Sequence, residues 1–261
     1  MLWFRFPDQV YEKSGRELFD NINEILERTA SIVTQKGGAV FNFAYNGYDA
    51  VFEGGSAAAV STAVAVQQEI LDLNREREAA GRPPVTVRIA LDEGNVMLGV
   101  VGEENQIEPT SSFSVVKHLI ELCGRLGANI LCTEAVINGA KGYGSRYMGK
   151  CMEGGQAIRT YEIFEGDPYD IRKVKETTGD TFSQGVYALY GRDFSRAKGI
   201  FLRLVHHNTG DGGARYYLYL ADRLEKRPEE AISLDAGADR ESAGIWFPCA
   251  PHGPRRKEAV P

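Results

Sequence analysis

Apolar side chains recur at helical spacing near the start of the chain, over residues 15–36. The residues on this apolar face are Leu18, Ile22, Ile25, Leu26, Ala30 and Ile32. Gly37 and Gly38 end the predicted helix, because glycine adopts the left-handed conformation that closes helices. Residues 38–52 then predict two apolar strands joined by a tight turn at Tyr45-Asn46-Gly47.

The same reading continues to residue 166. A second helix over residues 56–80 ends at Gly81 and the pair Pro83-Pro84. Residues 85–94 and 95–102 alternate as two strands with a turn between them. A third helix (111–127), a strand leading into a short helix (128–139) and a closing strand (156–166) follow. This order predicts one α+β sheet with helices on one face.

Composition narrows the class of protein. The chain has 261 residues, of which 43% are hydrophobic and 25% charged, so it is long enough to form one hydrophobic core and a smaller appended element. Its net charge of −6 argues against a nucleic-acid surface. The four cysteines and four histidines show no metal-binding spacing, and no apolar run reaches the roughly 18 residues of a membrane span. We expect reduced structural thiols, a cytoplasmic location and no membrane contact from this chain.

Three segments carry a resemblance to a known family. They are "GGAVFNFAYNGYDAVF" (37–52), "IALDEGNVMLGVVGEE" (89–104) and "EPTSSFSVVKHLIEL" (108–122). In order and in ungapped spacing they resemble the catalytic domain of class III nucleotidyl cyclases, over roughly residues 15–165. The resemblance implies a ferredoxin-like βαββαβ sheet and dimers whose sites form between two copies. It assigns residues 1–165 to this domain, with the leading strand absent or cut off.

The metal half of the family's site is altered. In the family, two aspartates hold two Mg²⁺ ions that bind the triphosphate and activate the ribose 3′-hydroxyl. The second aspartate falls on Asn46, a neutral amide in place of the carboxylate that Mg²⁺ usually requires. The first would lie near residue 2, where Asp8 is the only nearby carboxylate and its context does not match.

The nucleotide half is altered as well. The purine-reading lysine of the family falls on Asn42, and the base-contacting Thr or Asp falls on Thr110, the single match. The ribose-orienting asparagine becomes Lys117, and the arginine that steadies the transition-state phosphate becomes Glu121. A carboxylate in that place repels a polyanion, so the resemblance implies that ordinary cyclase turnover is absent.

Each substituted position also has a purely structural explanation. Asn46 precedes glycine and could be present because it tolerates positive φ in a hairpin turn. Lys117 and Glu121 stand four apart on a predicted helix and could pair with each other. Thr110 could begin that helix as a cap, and His118 is more simply a structural residue.

The character of the chain changes after Gly166. Residues 166–180 are polar and contain Pro168, which predicts a linker. Residues 181–228 have apolar positions similar to tetratricopeptide helices, a small all-α element. A single such unit cannot bury both of its sides, so it should pack on the cyclase-like domain or on a protein partner. Residues 229–261 lack any period and predict a disordered tail.

Three functions are consistent with these patterns. The favoured hypothesis is a catalytically degenerate cyclase-like domain acting as a regulatory or dimerisation module in cyclic nucleotide signalling. It would work as a homodimer, or as a heterodimer with another cyclase domain, without a cofactor. The alternative is an active cyclase that makes cyclic AMP or cyclic GMP from ATP or GTP, with Mg²⁺ or Mn²⁺ in a rearranged site. A weaker third hypothesis is a sensor that binds nucleotide without turnover.

Overall fold

A central mixed sheet organises the structure, a computed structural model that describes residues 2–5, 15–101, 104–108, 111–153 and 155–231. Seven strands of these residues pair in the order β2-β3-β1-β4-β7-β9-β8. Their bounds are β1 Leu2–Arg5, β2 Gly38–Ala44, β3 Gly47–Phe52, β4 Thr86–Leu91, β7 Ile130–Thr133, β8 Ser145–Glu153 and β9 Gln156–Ile163. Two further strands, β5 Met97–Val101 and β6 Glu104–Glu108, form a separate antiparallel hairpin, and β6 lies against β2.

Seven α-helices of the described residues surround this sheet. They are α1 Gly15–Gln35, α2 Gly55–Ala79, α3 Ser111–Leu126, α4 Glu134–Gly139, α5 Tyr169–Tyr190, α6 Phe194–His207 and α7 Gly212–Lys226. A short 3₁₀ helix over Pro228–Ala231 follows. The helices predicted from the spacing of apolar residues at 15–36, 56–80 and 111–127 are confirmed by α1, α2 and α3.

The helices pack on both faces of the sheet. Successive side chains of a strand point to opposite faces, and in β4 Ile89 and Leu91 join the core beneath α1 and α2. Ala90, between them, belongs to a second core formed with α3 and α5–α7. The predicted α+β sheet is therefore confirmed, but the expectation of helices on one face is wrong.

Two expectations about strands are also corrected. A leading strand is present: β1 runs antiparallel between β3 and β4, with Trp3 opposite Gly47 and Arg88. The strand predicted over 95–102 does not pair with β4. It forms β5 and pairs with β6, which the sequence reasoning missed together with β8.

The predicted linker 166–180 is helical from Tyr169 onwards. Pro168 stands immediately before α5, a position that suits its fixed φ, and the helix continues unbroken from Tyr169 to Tyr190. Its residues Phe182, Val186 and Leu189 are buried in the same core as α3 and the sheet. The helical segment thus packs on the central sheet, which is one of the two arrangements that we expected. Its likeness to tetratricopeptide repeats stays a prediction, and residues 232–261 of the predicted tail lie outside the described residues.

Buried charges join this helical segment to the sheet. Arg146 of β8 donates to Glu162 of β9 (Nε to Oε2, 2.6 Å) and with both terminal nitrogens to Asp211, the N-cap of α7 (2.5 and 2.8 Å). Lys175 of α5 donates to Glu162 (2.6 Å) and to Asp167 (2.5 Å). All five side chains are at most 5% exposed, so these ion pairs are shielded from solvent.

Candidate functional site

The β2–β3 hairpin contains a bulge. Phe41 pairs with Asp49 and Ala44 with Gly47, so Asn42 and Phe43 together face Tyr48 alone. Asn42 has φ 49°, a left-handed conformation that asparagine tolerates better than most residues. Its side-chain amide donates to Asp49 (Nδ2 to Oδ2, 3.0 Å). The residue at the purine-reading position is therefore short, neutral and bound within its own hairpin.

The hairpin turn does not require asparagine at position 46. Tyr45 and Asn46 form the two-residue connection, and neither has positive φ. The left-handed residue is Asn42, four positions earlier, in the bulge. The explanation of Asn46 by positive φ is thus wrong, and an aspartate would fit the same backbone. Asn46 is half-buried at the hairpin tip, whereas Phe43 and Tyr45 are 60% and 73% exposed.

The strand beside this turn supplies no carboxylate. β1 passes next to the turn, with Trp3 opposite Gly47, and its four residues read Leu-Trp-Phe-Arg. Within the described residues no group of three His, Cys, Asp or Glu side chains could hold a metal ion. One half-buried amide beside a strand that has an arginine and no carboxylate does not fit a two-Mg²⁺ site, because Mg²⁺ requires oxygen ligands with negative charge to offset its dehydration. Asp8 lies outside the described residues.

Helix α3 carries the candidate nucleotide contacts on an exposed stripe. Lys117 and Glu121 are both exposed, one helical turn apart. The pairing of Lys117 with Glu121 stays a prediction. His118 beside them is half-buried, and Thr110 lies outside the described residues. Glu121 thus presents an exposed carboxylate at the position where the resemblance expects arginine.

Arg88 is a cation near this stripe that the sequence analysis did not identify. Arg88 of β4 faces the underside of α3, where its guanidinium lies so close to Gly124 that a Cβ there would meet Nη1 at 2.7 Å. Among the described residues Arg88 makes no hydrogen bond or ion pair. It alternates with the buried Val87 and Ile89 and so faces the opposite side of the sheet. It places a half-buried positive charge one turn of α3 from Glu121.

The thiols near α3 are structural. Cys123, Cys132 and Cys151 are buried and free of disulfides. Burial raises the pKa of the Cys123 thiol to about 12, and it raises the pKa of Cys132 still further. Because the thiolate is the reactive form, these two groups are poor nucleophiles at neutral pH.

The hairpin and α3 occupy separate places in the fold. Asn42 and Asn46 lie on the β2–β3 edge of the sheet, whereas α3 packs over β4 and β7 on the far side of β1. The positions where the resemblance expects metal and purine contacts, Asn46 and Asn42, thus lie on the hairpin, whereas those for the ribose and phosphate contacts lie on α3. In the described part of the chain, no helix is long and apolar enough to cross a bilayer.

The fold is that of class III adenylyl and guanylyl cyclase catalytic domains, although no protein-family model and no curated protein matches the chain in sequence. A bacterial light-regulated adenylyl cyclase superposes with a TM-score of 0.55 at 18% identity, covering 68% of this chain and 56% of that one. The adenylyl cyclase CyaB from P. aeruginosa gives 0.53 at 19% identity, covering 62% and 90%. A dimeric guanylyl cyclase domain of the RhoGC fusion protein from Blastocladiella emersonii gives 0.50 at 13%, covering 62% and 93%. This chain thus spans little more than half of the light-regulated enzyme.

Proposed function

We propose that this chain is a catalytically degenerate cyclase-like domain that acts as a regulatory or dimerisation module in cyclic nucleotide signalling. The observation that supports the proposal is that one folded chain has substitutions at the positions of both the expected metal contacts and the expected nucleotide contacts. The fold is retained, whereas the hairpin presents Asn46 for a metal ligand and α3 presents Glu121 for a transition-state cation.

The backbone of the hairpin does not explain why asparagine replaces the expected metal-binding aspartate at position 46. Asn46 has no backbone conformation that favours an amide, and β1 offers no carboxylate beside it. A two-metal mechanism depends on anionic ligands that hold both ions against the substrate phosphates. With neutral ligands in this place, the metal-assisted activation of a ribose hydroxyl is not supported.

The nucleotide half is lost through charge. Glu121 is exposed and would face the polyphosphate of a bound nucleotide. Removing one preorganised electrostatic contributor typically costs about 10²–10³ in rate, and a reversal of charge costs more. Arg88, close to the same helix, offsets part of this repulsion and leaves weak nucleotide binding as the second candidate function.

A direct assay separates these functions. We expect the full chain to form no cyclic AMP or cyclic GMP above a heat-killed control with ATP or GTP and millimolar Mg²⁺ or Mn²⁺. Product above that control would overturn the proposal and favour the alternative, an active enzyme. Titration calorimetry with the same nucleotides tests binding alone, and Arg88→Gln is the variant that should abolish any heat of binding.

Dimerisation is supported by the exposed hairpin. Phe43 and Tyr45 expose large aromatic surfaces beside Asn46, and exposed aromatic clusters are typical of protein contact sites. We expect the chain to self-associate through a two-fold interface that includes them. Sedimentation should show the double variant Phe43→Ser/Tyr45→Ser shifted towards monomer. The matched variant Tyr219→Ser, which alters an exposed tyrosine of α7, should leave association unchanged.

Mixed dimers provide the functional readout. If each site draws its metal ligands from one chain and its nucleotide contacts from the other, pairing with an active domain damages both sites. One would contain Asn42, Lys117 and Glu121, and the other would contain Asn46. Titrating this chain into a fixed amount of active homodimer should lower cyclic nucleotide output in proportion to the heterodimer formed. Unchanged output in the presence of demonstrated heterodimer would refute the regulatory role.

A further inference from the structure

Two cations face each other on β8 and β9, at the end of the sheet farthest from the β2–β3 hairpin. Lys150 of β8 and Arg159 of β9 are directly opposite in the antiparallel register, so their side chains leave the same face of the sheet. Residues in this relation have Cβ atoms about 5 Å apart, and like charges there destabilise a sheet. Both residues are half-buried, so the fold holds two positive charges close together.

Tyrosine rings lie against the guanidinium of Arg159. Its Cζ is 4.9 Å from the centre of the Tyr147 ring, and its Nη2 donates to the hydroxyl of Tyr187 (2.8 Å). Tyr187 stacks on Tyr147 with 5.1 Å between the ring centres, yet it is 51% exposed. One face of the Tyr187 ring therefore lies on Tyr147, and the exposed part of the ring is open to stacking by a second aromatic ring.

One carboxylate partly balances the two cations. Glu134 of α4 lies 3.3 Å from Arg159 (Oε1 to Nη1) and accepts from the hydroxyl of Tyr161 (3.2 Å). In the part of the chain that the structure describes, Lys150 forms no ion pair, and Nε of Arg159 is buried without a hydrogen-bond partner. The group therefore carries a net charge of +1 and retains unused donors. We refer to it as the sheet-end site, formed by Glu134, Tyr147, Lys150, Arg159, Tyr161 and Tyr187.

A similar group of side chains at the start of α5 has no such surplus of charge. Tyr169 is 64% exposed, and Arg172 and Lys173 lie 5.8 and 5.7 Å from the centre of its ring. Both cations pair with Glu176, and Arg172 also pairs with Glu165, so the group is neutral. The sheet-end site differs by its net positive charge, which attracts an anion.

We propose that the sheet-end site binds an aromatic monocarboxylate, a ligand of the benzoate class. The ring of the ligand stacks on the exposed face of Tyr187, and its carboxylate accepts hydrogen bonds from Arg159 and Lys150. Because the guanidinium stands at the hydroxyl edge of the Tyr187 ring, the carboxylate has to be attached directly to the ring of the ligand.

The charge of the sheet-end site selects a monoanion. One negative charge neutralises the site, whereas the second charge of a dianion would be repelled by Glu134. A planar carboxylate also matches the planar guanidinium of Arg159. The site lies on elements other than the β2–β3 hairpin and α3, so this proposal does not depend on whether the chain is a degenerate cyclase.

Ligand-observed NMR titration of the full chain tests the class of ligand. We expect saturable binding of benzoate, and binding of benzamide that is at least about tenfold weaker, because benzamide keeps the ring and loses the charge. Cyclohexanecarboxylate keeps the charge and loses the aromatic ring, so it should bind about two- to tenfold more weakly than benzoate. Phenyl phosphate, a dianion, should bind no more tightly than benzoate.

Substitutions locate the ligand on the chain. Lys150→Gln and Arg159→Gln should each weaken benzoate binding by about tenfold or more, because each removes a charged donor. Tyr187→Leu should weaken it by about two- to tenfold through the loss of stacking. Tyr169→Leu is the matched control, since it changes another exposed tyrosine of α5, and it should leave binding unchanged.

Glu134→Gln provides a test that general damage to the fold cannot imitate. Removing this carboxylate raises the charge of the sheet-end site to +2, so benzoate should bind more tightly and phenyl phosphate should gain more than benzoate does. Circular dichroism checks that each variant is folded.

Four results would overturn the proposal. They are the absence of benzoate binding, benzamide binding as tight as that of benzoate, equal losses in Tyr169→Leu and Tyr187→Leu, and weaker benzoate binding in folded Glu134→Gln. Tighter binding of phenyl phosphate than of benzoate by the unchanged chain would reject the monocarboxylate in favour of a phosphate monoester.

Discussion

Replacing Arg146 with methionine should destabilise the protein by about 3–5 kcal/mol, the typical cost of removing one partner from a buried ion pair. Arg146 is the shared donor of Glu162 and Asp211, and its guanidinium also lies 4.0 Å from the centre of the Phe182 ring. Methionine fills much of the volume but leaves two buried carboxylates to Lys175 alone. The penalty is therefore electrostatic rather than a matter of packing.

Urea unfolding measures this penalty. With a slope of about 3 kcal/mol per molar, the midpoint should fall by about 1–2 M. Fluorescence and far-UV circular dichroism should shift together, because α5–α7 share one core with α3 and the sheet. Arg172→Met removes a half-exposed arginine that pairs with Glu165 and Glu176, and it should cost less than about 1 kcal/mol.

Two results would refute this reasoning. A loss below about 1 kcal/mol would mean that Glu162 and Asp211 find other compensation or become solvated. Separate transitions for the two probes would mean that the helical segment unfolds on its own, and that the buried charges do not couple it to the sheet.

Four further outcomes follow from the same structure. Arg146 and Lys175 outweigh burial and lower the pKa of Glu162, so its contribution is present at neutral pH and lost on acidification; Glu162→Gln should flatten the fall in stability below about pH 4. Burial instead raises the pKa of Asp167, so the fold stabilises its charged form less than that of Glu162, and Asp167→Asn should cost less than Glu162→Gln in the same urea titration. Gly127→Ala should destabilise strongly, since φ is +62° and the new Cβ would meet the Gly212 backbone at 2.9 Å; thermal melting measures the loss. Asn46→Asp should leave the melting temperature within about 1 °C, because the turn imposes no positive φ, and it should restore part of the activity of a mixed dimer.

The sequence predicted the elements whose residues interact locally. Helix α1 was predicted to within one residue, because its apolar spacing and terminal glycines act within the helix itself. The hairpin at Ala44 and Gly47 was predicted from alternation and turn residues in the same way. Strand β8 was missed because its pairing with β9 contains a bulge near Gly149 that interrupts strict alternation.

The remaining errors concern interactions between distant residues. Residues 166–180 are polar and so predicted a linker, but Lys175 is buried there because Glu162 and Asp167 neutralise it. No local pattern indicates that pairing. The candidate site was predicted in its residues and not in its geometry: the left-handed conformation lies at Asn42 instead of Asn46, because the bulge and not the turn absorbs the twist of the hairpin.

The shared core of the sheet and α5–α7 changes where this protein can be divided. A boundary drawn from the cyclase fold alone would fall near Gly166, since the family resemblance ends there. Such a cut would remove the cover from Leu119, Leu122 and Met148, which are fully buried against the helical segment. The hydroxyl of Tyr217, which donates to the carbonyl of Met148, would be lost as well. The smallest segment that keeps this core intact is consequently larger than the catalytic domain that it resembles. A gene fusion that preserves the fold must therefore include α5, α6 and α7.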